Sequence, residues 1–365
     1  MLIIRISVFG LGVLIATGTL VSAIRTFVLP RSAPDQITRI VFVAMRRLFE
    51  LRLRRARTYA ERDQALALYA PFSLLALPPT WLALVLLGYM GMFWALGVPS
   101  WREAFRISGS SLLTLGIASR EDLLQTLLMF SEAAIGLILV ALLIAYLPTM
   151  YAAFSQREAL VTLLEVRAGS PPSAVEMIQR YQRIHGLDRL GDLWAAWEVW
   201  FAQLEESHSS LPALAFFRSP QPDHSWVTAS GAVMDAAALL TAAVDVPLDP
   251  RAMLCIRAGY LALRRISDFF GIQHNPDPHY PAEPISVTRE EFNAACEDLA
   301  AQGVPLKADR DQAWRDFAGW RVNYDRVLIA LCSITTAPTA PWSSDRAPAY
   351  RSPPLFFPKN RKPPI

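Results

Sequence analysis

The sequence predicts an all-α integral membrane protein with three transmembrane helices, a re-entrant helix and loop between the second and third, and a helical cytoplasmic domain. Three observations carry this expectation. The 365 residues are 53% apolar and only 18% charged, with a mean hydropathy of +0.27, which excludes a purely soluble chain. Three stretches, 6–24, 64–101 and 123–156, are free of charge except for Glu132, and each holds the roughly 20 helical residues that a hydrocarbon core of about 30 Å requires. Between the second and third lies the segment 100–119, too short and polar to cross a bilayer and too apolar for an ordinary surface loop.

The first run, within 1–25, reads as an uncleaved anchor. A cleaved signal peptide is the alternative, but the arginines that follow its apolar core oppose export. Residues 26–63 form a basic segment: from Arg25 to Arg62 there are ten arginines against Asp35, Glu50 and Glu61, and Asp63 follows. By the positive-inside rule this loop is cytoplasmic, which places the N-terminus outside and the C-terminal domain inside an inner or plasma membrane. Residues 37–57 have a helix-compatible pattern with a positive face. Such a helix lies on anionic lipid of the inner leaflet, gaining about 1 kcal/mol per arginine, or packs on the protein's own soluble domain.

Residues 64–154 form the central module. Pro71, Pro78 and Pro79 divide the second run, so the pattern predicts a short helix over 66–77 and a spanning helix over 79–96. Ser100 and Glu103 have capping-box spacing, so a helix of about three turns runs from there to Leu113 and points its C-terminal end at Thr114. Backbone that leaves a helix at membrane depth needs protein or water around it, so the loop predicts a wet axis. The third span, 123–150, contains Glu132, an ionisable residue that by default marks function, and ends or kinks at Pro148.

Residues 65–151 resemble the pore-loop cation channel superfamily, of which potassium channels are the best known. The family's Thr-Val-Gly-Tyr-Gly-Asp stretch falls here on Thr114, Leu115, Gly116, Ile117, Ala118 and Ser119, with Thr114 and Gly116 retained. The resemblance implies a homotetramer in which these six residues line a filter for a monovalent cation through backbone carbonyls. Ala118 in place of glycine implies weak or non-standard selectivity. Gly136 falls near the place where family inner helices bend in gating, and a glycine there also allows close helix packing. Glu132, assisted by Ser131, is expected to buttress the pore loop or to attract cations, or else is a carboxyl solvated near the interface. No span carries repeated arginines, which argues against voltage gating.

Residues 155–336 turn soluble and helical. Helices are expected from Ser170 to Gly186, over 193–204 with Trp194, Trp197 and Trp200, over 231–244 as a buried core helix containing Asp235, from the Thr288–Glu291 capping box to Gln302, and over 310–331. Residues 337–365, rich in proline and serine, are expected to be disordered. Two clusters, Glu205, Glu206 and His208, and His274, Asp277 and His279, offer metal-ligand types without a metal-type spacing. Residues 216–226 are an aromatic, proline-rich loop that binds a ligand or subunit or is a packed connector, and His185 meets a helix C-terminus. Cys255, Cys296 and Cys332 suit reduced cytosolic thiols. No phosphate loop, nucleophile elbow or carboxylate dyad points to a cofactor or an enzyme, and a net charge of +3 gives no nucleic-acid reading. A channel-like protein and a non-conducting, membrane-anchored sensor or interaction protein with a vestigial pore fold are the two expectations.

Overall fold

The computed structural model describes residues 1–27, 35–53 and 59–347. All thirteen α-helices among them lie in two compact units, one formed by Met1–Arg55 and Leu68–Ala152, the other by Ala56–Ala67 and Ala153–Ile365. Among the described residues no strand occurs, only an isolated bridge between Val244 and Leu306. Among the described residues four helices are long and apolar enough to cross a membrane.

The first unit holds α1 (Leu2–Phe27), α2 (Gln36–Leu53), α4 (Tyr69–Ala95), α5 (Trp101–Leu112) and the first part of α6 (Leu123–Ala168). α1 and α4 meet backbone to backbone. A Cβ added to Gly12 would fall 2.4 Å from the Gly88 carbonyl oxygen, and one added to Gly88 would fall 2.8 Å from that of Gly12. Small residues permit this approach between apolar helices, where dispersion replaces the hydrophobic drive. At the other end of the contact Trp81 Nε1 donates to Ser22 Oγ (3.1 Å), which donates to Asp35 Oδ2 (2.6 Å). Asp35 also accepts from the Thr38 amide and so caps α2. α2 packs on α4 around Tyr69, whose hydroxyl donates to the Phe42 carbonyl and whose ring lies 5.4 Å below the Arg46 guanidinium.

The expected division at Pro78 and Pro79 and the expected end of the third span at Pro148 are corrected. α4 runs unbroken through Pro78 and Pro79, and α6 runs through Pro148 to Ala168, about 69 Å at 1.5 Å per residue. Within these helices hydroxyls supply donors in the turns beside the prolines: Thr80 Oγ1 donates to the Ala76 carbonyl and Thr149 Oγ1 to that of Ala145. In apolar surroundings continuing the helix satisfies more backbone groups than breaking it.

The second unit holds α3 (Tyr59–Ala67), the remainder of α6, α7 (Ala174–Arg183), α8 (Gly191–Ser210), α9 (Trp226–Ala243), α10 (Pro250–Phe269), α11 (Arg289–Ala301), α12 (Arg310–Arg321) and α13 (Asp325–Thr335). α9 is its axis, packed against α7, α10, α12 and α13. Its most apolar window is 94% buried within the protein, so this fourth membrane-length helix is a core helix. Asp235 inside it is matched by Arg321, whose Nη1 donates to Asp235 Oδ1 (2.6 Å) and Nε to Asp325 Oδ1 (2.7 Å), while the Tyr324 hydroxyl donates to Asp235 Oδ1 (2.8 Å). A buried carboxylate needs this pairing, since an unpaired charge there costs several kcal/mol.

The expected helix over 310–331 is two helices. The turn between α12 and α13 brings Arg321 and Tyr324 to Asp235 and lets Arg264 donate to the Asn323 carbonyl (2.9 Å). α7 begins at Ala174 with Ser173, not Ser170, as its cap. The Thr288–Glu291 box forms reciprocally at the head of α11. Residues 337–347 are packed rather than disordered, with Ala340, Trp342 and Ser343 buried and Arg321 Nη2 donating to the Trp342 carbonyl; 348–365 lie outside the described residues.

Candidate functional site

The segment between α4 and α6 forms a helix wedged beside both. Ser100 caps α5 by accepting from the Glu103 amide (3.2 Å), but the Glu103 carboxylate pairs with Arg120 instead of returning to Ser100, so half of the capping box forms. Trp94 and Trp101 stack at 5.4 Å and Gln125 Nε2 donates to the Leu96 carbonyl (3.2 Å), which gathers the end of α4, the start of α5 and the start of α6 at one level.

From that level α5 descends along its neighbours. Ser108 Oγ lies 3.2 Å from the Leu86 carbonyl oxygen and bonds Glu132 Oε1. Further along, Gly136 takes the end of α5: a Cβ there would fall 2.2 Å from the Leu112 carbonyl oxygen. Gly136 is thirteen residues into α6, so the C-terminal end of α5 lies about 20 Å along that helix.

The backbone then turns. The Leu115 amide donates to the Ser110 carbonyl (2.8 Å) and the Thr114 amide to that of Ser111 (3.0 Å), the paired bonds of a Schellman motif whose left-handed position usually holds glycine. Here Thr114 occupies it at φ +54°, and Gly116 follows at φ +70°. A β-branched residue in this region is strained by roughly 1–2 kcal/mol. Ser110 Oγ accepts from the Ala118 amide (3.1 Å) and donates to the Ala118 carbonyl (3.3 Å), folding the loop back on its own helix. Thr114, Leu115, Gly116, Ile117 and Ser119 are exposed, Ile117 by 66%.

Glu132 is fully buried, its Oε2 has no hydrogen-bond partner, and among the described residues no cation pairs with it. Ser131 makes no hydrogen bond to it. The Ser131 hydroxyl lies 2.9 Å from that of Tyr89 and donates to the Leu128 carbonyl. Ser108 and the Leu86 carbonyl thus stand beside Glu132, and Tyr89 beside Ser131; of these the sequence reading names only Ser131 and Glu132. The serines of α5, on an otherwise apolar face, were the available signal.

In the second unit the two clusters of ligand-type residues disperse. Glu205 pairs with Arg265, Glu206 Oε1 accepts from Ser210, and His208 is buried with Nδ1 3.0 Å from the Leu204 carbonyl and Nε2 3.3 Å from Arg157 Nη1. Since the guanidinium can only donate, Nε2 is the acceptor and Nδ1 carries the proton. Burial, with Arg157 adding to it, holds this imidazole well below its ordinary pKa of 6.5. His274 faces Asp268, and His279 faces Asp277 at 4.0 Å in an exposed loop. No group of three metal-ligating side chains occurs among the described residues. Residues 216–226 form a packed connector: the Leu214 and Phe217 carbonyls accept from Arg157, Trp226 Nε1 donates to the Ala215 carbonyl, and His224 Nε2 lies 3.3 Å from Glu165. His185, at φ +52°, ends α7 as its left-handed residue. No protein-family model, curated protein or solved structure matches this chain.

Proposed function

We propose that this chain is the subunit of a potassium-channel-like membrane protein, a homotetramer whose pore loops form a monovalent-cation pathway of weak or non-standard selectivity. The observation that carries the reading is α5, held about 20 Å along α6 by the Ser108–Glu132 bond and the Gly136–Leu112 contact. That depth, followed by a turn of exposed backbone, fits a re-entrant helix whose loop meets symmetry mates around water. α1, α4 and α6 are then the spans, with the N-terminus outside and the helical unit cytoplasmic.

Two features support self-assembly. Ser131, Ala134, Ile138, Ala141, Ala145, Pro148 and Ala152 of α6 are all exposed, small or apolar, and spaced three and four in alternation. That 3.5-residue period is the one with which helices supercoil on their own copies. Leu115 and Ile117, more than half exposed, gain cover only from another copy or from lipid. On α2 the exposed Ile40, Leu48 and Leu51 lie beside Arg47, a face suited to anionic lipid of the inner leaflet.

One observation favours the non-conducting alternative, in which the pore fold is vestigial. The Ala118 carbonyl, which a family-type filter turns toward the ion, is engaged by Ser110. Two measurements separate the readings. Purified protein in detergent should run as four copies of the 40.6 kDa chain, and liposomes holding it should leak monovalent cations in a way that Gly116→Pro abolishes. A monomer or dimer, or equal leakage by the two proteins, refutes the filter.

A further inference from the structure

Two stretches of the helical unit lead straight into membrane-length helices: a single residue, Leu68, separates α3 from α4, and α6 is one unbroken helix. Both stretches are held by the same short connector, residues 211–219, between α8 and α9. On the α6 side, Arg157 is 4% exposed. Its Nη1 donates to the Leu214 carbonyl (2.8 Å), Nη2 to the Phe217 carbonyl (2.7 Å) and Nε to Glu158 Oε1 (2.8 Å). Trp200 Nε1 donates back to the Arg157 carbonyl (3.0 Å), and the Phe154 and Phe217 rings pack at 5.8 Å.

One residue after Phe217 the connector grips the other stretch. Arg218 Nη1 bonds the Asp63 carboxylate of α3, while Nη2 donates to the Thr335 and Thr336 carbonyls (2.8 and 2.9 Å) at the end of α13. Both side chains are about nine-tenths buried. A planar guanidinium can serve a carboxylate and two carbonyls at once, which a lysine ammonium does less well. Removing one partner of such a pair leaves the other charge buried. Neither stretch is bonded to the connector by chance surface contacts, since every donor named is buried or nearly so.

We infer that residues 211–219 are a clamp that fastens α3 and α6 together to the helical unit, with Asp63–Arg218 as its releasable arm, so that a rearrangement of α13 or α8 is delivered to both pore helices. The fastening stands on these bonds alone; what it delivers rests on the pore reading. The test is deuterium exchange on full-length protein in lipid, with Asp63→Asn, Arg218→Gln and Arg218→Lys beside wild type, and cation flux from the same preparations.

Asp63→Asn and Arg218→Gln should each speed exchange in α3 at least tenfold while α9 keeps its wild-type protection. Arg218→Lys should retain most of the α3 protection, and the flux of the first two variants should change severalfold. Unchanged exchange in α3, or equal loosening of α3 and α9, overturns the clamp. Released α3 with unchanged flux in a conducting protein overturns the delivery. Wild-type protein without flux removes the pore reading, and exchange then decides the fastening by itself.

Discussion

Gly136→Ala is the sharpest test of how α5 is held. A Cβ at residue 136 would lie 2.2 Å from the Leu112 carbonyl oxygen, whereas ordinary contact begins at 3.4 Å, so α5 or α6 must shift by about 1.2 Å. The obstacle is backbone, which cannot swing aside as a side chain does. Overpacking of this kind costs about 1–3 kcal/mol, against a helix-propensity gain of about 1 kcal/mol for alanine over glycine. Gly18→Ala is the control, because nothing lies within 4 Å of its added Cβ. Reversible unfolding of detergent-solubilised protein, followed by tryptophan fluorescence, should show Gly136→Ala less stable than wild type and Gly18→Ala equal or more stable. If Gly136→Ala matches Gly18→Ala, the close approach is wrong, and bending becomes the better account of that glycine.

Three further outcomes follow from the same geometry. Thr114→Gly removes a β-branched residue from the left-handed region at φ +54° and should stabilise the protein by about 1 kcal/mol in the same assay, with no gain counting against the helix-ending motif. His208 has a folded-state pKa held well below 6.5 by burial and by Arg157. Its contribution is therefore complete above about pH 6.5 and lost as pH falls, by up to roughly 1.4 kcal/mol per unit, and His208→Gln should flatten that slope in unfolding curves. Glu132→Gln preserves the shape and bonding that Ser108 meets, so it should keep flux near wild type whereas Glu132→Leu loses it; a similar loss in both would assign the role to charge.

What the sequence reveals is whatever depends on near neighbours. Ser100 and Glu103, or Thr288 and Glu291, lie three residues apart and read directly as helix starts. The charge-free runs are equally plain, because a bilayer's thickness fixes their length. The prolines mislead, since their effect depends on whether water is present to accept the broken bonds. Residues 310–331 look like one helix because the reason for the break, Asp235, lies 86 residues from Arg321. Ser108 and Tyr89 are invisible for the same reason, their partners being 24 and 42 residues away, and Asp63 finds Arg218 across 155.

The faces of α6 bear on the two roles expected of Glu132 and favour the buttress. Glu132, Gly136, Leu139, Tyr146 and Met150 recur at helical spacing and are all buried, whereas the stripe that begins at Ser131 is exposed throughout. Adjacent residues on a helix point about 100° apart, so a carboxyl on the first face cannot also stand on the second. An axis that copies of α6 enclose would be lined from its exposed residues, and Glu132 is not among them. Glu132 meets α5 instead, so under the proposed pore reading its part is to fix where that helix ends. The Ser108 hydroxyl lies against both the Leu86 carbonyl and the Glu132 carboxyl, so one side chain links α4, α5 and α6 at one level.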